Sequence, residues 1–121
     1  MTEPFRLRAR IESFRFAGRG LAILLREQHN CRIHFVATLV VIILGFTLNI
    51  ASFEWVAVLF AVGLVWVAEA LNSALEYLAD AAVPEQHLLV AKAKDAAAAG
   101  VLVASIIAAA IGLLVFLPYT L

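Results

Sequence analysis

From Ile33 onward the chain is dominated by apolar residues, interrupted by polar positions in two short stretches. The apolar runs cover residues 33–50, 55–78 and 96–118. A hydrocarbon layer about 30 Å thick is crossed by roughly 20 helical residues, so each run predicts a transmembrane helix. The second qualifies only if its helix continues beyond "WVAVLFAVGLVWVA" and through Glu69 to about Leu78. The predicted connections are "NIASFE" and "AAVPEQHLLVAKAK", with Pro84 breaking the second.

Residues 5–29 follow a different pattern. Leu7, Ile11, Phe14, Gly18, Leu21 and Leu25 recur at helical spacings of three and four, and Arg8, Glu12, Arg15, Arg19 and Arg26 form the adjacent stripe. Such a helix lies in a lipid interface with its arginines toward anionic headgroups; one or two of them are candidates for nucleotide phosphates. The expectation is an all-α membrane protein, an amphipathic surface helix plus three spans, in a single domain covering residues 1–121.

Composition strengthens this reading. Of 121 residues, 64% are hydrophobic, the mean hydropathy is +0.99 and only 15% are charged, against about 25% in ordinary soluble domains. A soluble chain this small has too little interior to hide so much apolar surface. Net charge is zero, yet seven of the nine basic residues precede the first span and the other two, Lys92 and Lys94, lie between the second and third. Basic segments stay on the cytoplasmic side. This predicts a cytoplasmic N-terminus and Lys92/Lys94 loop, Glu54 in a short outer turn, and an external C-terminus. The single Cys31 allows no internal disulfide. No cleavable signal peptide is visible, and no nucleic-acid partner is expected.

The candidate chemistry lies in "EALNSALEYLAD". Glu69, Asn72, Glu76 and Asp80 are separated by three, four and four residues, which puts them within roughly 80° of one another on a helix, with Ser73 alongside. A carboxylate at membrane depth costs at least ~2.5 kcal/mol, so this stripe requires inward-facing partners. A polar seam locking helices together is the structural alternative, but paired glutamates make poor glue. The available partners are Lys94 and Asp95 at the start of the third span, and Glu27, Gln28, His29 and Arg32 before the first.

Carboxylate and amide oxygens suit a hard cation such as Mg²⁺, held with substrate phosphates. His29, His34 and His87 have no metal-ligand spacing and read as interfacial or structural. There is no Walker loop, no protein-kinase signature and no readable nucleophile–histidine arrangement. Two classes remain: an enzyme acting on a lipid headgroup, or an ion- or proton-coupled transporter subunit. A transporter needs its acids near the midplane with access to both faces; here they cluster toward one end, which favours the enzyme.

"EALNSALEYLAD" followed by "AKAKDAAAAGVLV" resembles the paired signature of the small bacterial membrane lipid kinases, the diacylglycerol kinase and undecaprenol kinase family. The resemblance covers nearly the whole chain. It implies a homotrimer in the bacterial inner membrane with active sites shared between subunits, using Mg-ATP from the cytoplasm and a lipid alcohol from the bilayer. By the same resemblance Glu69 matches the catalytic base and Glu76 a metal-binding carboxylate. Asn72 and Asp80 belong to the same stripe, Lys94 and Asp95 match the nucleotide-binding pair, and Phe16 falls near the adenine. Two positions depart from the family pattern. Gln28 stands where better-known members carry a glutamate bound to metal and ATP, with Glu27 just before it, and Ala9 separates Arg8 from Arg10 where relatives place a phosphate-binding arginine. "NIASFEWVAVL" and "NCRIHF" look more like the undecaprenol-kinase branch.

Overall fold

The computed structural model describes residues 2–121. The chain forms α1 (Leu7–Glu27), α2 (His29–Thr47), α3 (Ser52–Ala82) and α4 (Leu88–Phe116), closed by a 3-10 turn over Leu117–Thr120. Among the described residues there is no strand. Where lipid is the solvent, backbone polar groups must be satisfied within the segment, and the helix does this.

Each junction has a local cause. Gln28 alone is extended (φ −106°, ψ 114°) and divides α1 from α2. The carbonyls left open at the end of α1 are met by Arg32, whose Nε donates to Leu25 O at 2.8 Å and whose Nη2 donates to Arg26 O. At the end of α2, Asn49 takes a left-handed conformation (φ 53°). Its amide donates to Phe46 O at 3.3 Å and that of Ile50 to Gly45 O at 3.2 Å, the Schellman pattern with asparagine in place of the usual glycine. Glu54, expected in a loop, instead stands in the first turn of α3. There its Oε1 accepts from the Ala51 amide at 3.0 Å and from the Tyr119 hydroxyl. After the Pro84 break, His87 caps α4 by accepting from the Leu89 amide at 3.1 Å.

α3 and α4 pack as an antiparallel hairpin, α2 lies against α3, and α1 packs chiefly on α2. Gly45 beside Trp55, Thr38 bonded to Trp66 and His34 bonded to Glu69 fix an antiparallel register between α2 and α3. The apolar core, Ile50, Val58 and Val115 with Trp55 and Phe116 around it, sits at the end where α2 turns into α3. At the opposite end the buried side chains are Leu24, Cys31, Glu69 and Ser73. Most large apolar side chains face outward, Phe60 and Leu114 among them. Three helices are long and apolar enough to cross a membrane: His29–Thr47, Ser52–Ala82 and Leu88–Thr120 including the 3-10 turn.

Helices and apolar runs have different limits. α4 begins eight residues before Ala96, so Lys92 and Lys94 stand on helical turns and not in a connecting loop. α3 continues to Ala82. Hydropathy marks the lipid-facing stretch, whereas alanine, leucine, lysine and glutamate sustain a helix beyond it. The N-terminal helix is shorter than its 5–29 pattern: it starts at Leu7 after an extended Arg6 and ends at Glu27, where Gln28 leaves helical geometry.

Candidate active site

The polar stripe lies along the last half of α3, and each member meets a different neighbour. Glu69 is deepest, 2% exposed, and its Oε1 is 3.2 Å from His34 Nε2 on α2. One turn on, Asn72 Nδ2 donates to Glu76 Oε1 at 3.4 Å. Asn72 Oδ1 and the adjacent Ser73 Oγ are buried without a hydrogen-bond partner. At the end of the helix Asp80 Oδ1 accepts from Lys94 Nζ at 2.6 Å, joining α3 to α4 across the Pro84 connection. A cleft of about 460 Å³ opens at that connection, lined by Asp80, Pro84, Glu85, His87 and Lys94.

Tyr77, which the sequence reading did not single out, ties α1 to this row. Its hydroxyl donates to Glu27 Oε2 and accepts from Gln28 Nε2 at 3.1 Å. Since the single hydroxyl proton goes to the carboxylate, the Gln28 amide must be the donor, which leaves its Oε1 free. Glu69, Ser73 and Tyr77 lie four residues apart, a second polar stripe beside the first. That spacing was the available signal.

Other candidates are placed elsewhere. Arg32 is turned back onto the α1 carbonyls. Phe16 is exposed on α1, with the Arg19 guanidinium 5.6 Å from its ring centroid. Asp95 is exposed, about 100° around α4 from Lys94. Among the described residues no three His, Cys, Asp or Glu side chains converge on one point. The donor set nevertheless has the chemistry of a hard-cation site shared with phosphate oxygens: Asn72 Oδ1 is orphaned while its Nδ2 holds Glu76, and Gln28 Oε1 is free on the Tyr77 tether.

A helical membrane protein with a buried carboxylate at one end of its bundle, followed by carboxylates, an amide and a lysine, has the makings of an enzyme that works on the polar end of a lipid. The chain belongs to the prokaryotic diacylglycerol kinase family, whose profile matches residues 15–116. It is 38% identical over 107 residues to the undecaprenol kinase of Bacillus subtilis (strain 168), covering 88% of this chain and 87% of that one. The diacylglycerol kinase of Synechocystis sp. is 36% identical over 107 residues, 88% of this chain and 61% of the relative. That of Escherichia coli (strain K12) is 32% identical over 98 residues, 81% and 80% of the two chains. The protein is therefore a membrane lipid kinase with ATP as cosubstrate, which sets aside the transporter reading.

Proposed function

We propose that the protein transfers the γ-phosphoryl group of Mg-ATP to the hydroxyl of a membrane lipid alcohol at the cytoplasmic face of the inner membrane, with Glu69 as general base. The observation that carries the assignment is the burial of Glu69, a carboxylate withdrawn from solvent at the head of the polar stripe. The hydroxyl proton passes to Glu69. Its oxygen keeps the bonding pair and attacks the γ-phosphorus, while the bond to ADP breaks with its electrons on the departing ADP oxygen. Such reactions are catalysed mainly by positioning and charge neutralisation. Glu76, Asn72 Oδ1 and Gln28 Oε1 would hold Mg²⁺, which supplies neutralisation of the phosphate charge when bound. Glu27, whose Oε2 is engaged by Tyr77, leaves its second oxygen as a further donor. Lys94 is assigned to phosphate, Asp80 to holding Lys94, Asp95 to nucleotide, and Phe16 to the adenine. Arg32 keeps the α1–α2 junction in shape.

Orientation follows from the arginines ahead of the first span, and α1 is assigned to the lipid interface. A homotrimer with shared sites fits the outward apolar surface and the small residues Ala96, Ala98, Ala99 and Gly100 exposed on α4. Undecaprenol is the favoured acceptor, supported by the 38% identity to an undecaprenol kinase. Purified protein in bilayers should transfer label from [γ-³²P]ATP to undecaprenol more efficiently than to diacylglycerol. Glu69→Gln should lower turnover by ~10²–10⁴-fold. Transfer to neither lipid, or full turnover in the variant, would overturn the assignment.

A further inference from the structure

We infer that His34 is a positioning residue for Glu69: its Nε2–H holds Oε1 of the carboxylate and aims Oε2 at the acceptor hydroxyl. The inference rests on Glu69 being the general base. A carboxylate 2% exposed in a membrane-spanning helix is costly without a partner, and His34 supplies the hydrogen bond at 3.2 Å. The other polar groups around it do not take this place. Ser73 Oγ, one turn along α3, bonds to nothing. Cys31, one turn before His34 on α2, is fully buried. From α4, Ser105 shares with His34 the lining of a cavity of about 300 Å³.

His34 is itself held in place. One turn deeper, Trp66 Nε1 donates to Thr38 Oγ1 at 3.0 Å, and Thr38 Oγ1 donates to His34 O at 2.6 Å. The Trp66–Thr38 and Glu69–His34 contacts are two rungs between α2 and α3, so the imidazole cannot slide along α3 without breaking the first. Fixing one oxygen of a carboxylate leaves a single oxygen for the substrate, and pre-aligned groups of this kind control the rate more than the affinity.

The experiment compares His34→Ala, His34→Asn and His34→Gln with Glu69→Gln and the double variant His34→Ala/Glu69→Gln, all in bilayers with Mg-ATP and undecaprenol. Glutamine keeps an N–H donor at nearly the reach of the imidazole Nε2, whereas the asparagine amide stops about one carbon short. His34→Ala and His34→Asn should lose ~10- to 100-fold in kcat, the size of effect a misplaced reacting group produces, with KM for Mg-ATP unchanged. His34→Gln should recover most of the rate, and the double variant should be no slower than Glu69→Gln alone, as expected of residues acting as a unit. If alanine yields no folded protein, the asparagine–glutamine comparison decides. Wild-type kcat in His34→Asn, a glutamine variant no faster than asparagine, or losses that multiply in the double variant would each overturn the role of His34 while leaving Glu69 as base. Full turnover in Glu69→Gln would overturn both.

Discussion

Tyr77 shows how one hydroxyl can organise groups that sequence distance keeps apart. Its donor goes to Glu27 and its lone pair to the Gln28 amide, so the C-terminal end of α1 is held against α3 one residue beyond Glu76. Tyr77→Phe removes both bonds and keeps the ring. At an exposed site a hydrogen bond contributes about 0.5–1.5 kcal/mol, so KM for Mg-ATP should rise roughly 2- to 10-fold with kcat and folding little changed. Steady-state kinetics at varied nucleotide concentration checks this; an unchanged KM would mean that residues 27 and 28 are placed without the tether. Residue-level partners were the least legible part of the chain. The acids of α3 stood out because charge in an apolar run is rare, but their partners depend on how far each helix is rotated and slid. Nothing in hydropathy specifies that, and so His34 read only as an interfacial or structural histidine, with no partner named.

At the scale of elements, the α2–α3 hairpin depends on close approach near its turn. Gly45 is buried under the Trp55 indole, and a Cβ there would lie 2.5 Å from Cη2 and 2.6 Å from Cζ2. The indole also packs at 4.9 Å between centroids against Phe46, which limits its freedom to move aside. Gly45→Ala should therefore destabilise the fold by ~1–3 kcal/mol, the usual cost of overpacking, seen as a lower thermal midpoint in detergent. An unchanged midpoint would show that the indole swings clear. The number and order of helices were readable because a bilayer admits few alternatives to a helix. Their ends were not. The turns after Ala82 and before Leu88 are set by Pro84 and the His87 cap, and the residues flanking them are good helix formers with little hydropathy signal.

For the whole molecule, the contrast between ends is the main feature: an apolar core around Val58 and Val115 at one, a ladder of polar pairs at the other. Within one chain that ladder includes neither Phe16 nor Asp95. If subunits complete one another's sites, Glu69→Gln and Asp95→Asn, each impaired alone, should recover activity above their own residual levels when co-assembled, because some sites then carry neither defect. Activity no greater than the residual of the two parents would mean that each site belongs to a single subunit. Subunit number was not legible because the surface that decides it, outward apolar and small side chains, has the same composition whether it meets lipid or another chain.

The one-residue break at Gln28 carries a mechanical implication. With a single extended residue between α1 and α2, the two helices are levers on a common pivot, and the side chain of that pivot is fastened to the flank of α3. In the proposed mechanism its free oxygen also serves the metal–nucleotide complex. A pull on that oxygen is therefore a torque on α1, so the tilt of the N-terminal helix and the loading of the nucleotide would be two readings of one coordinate.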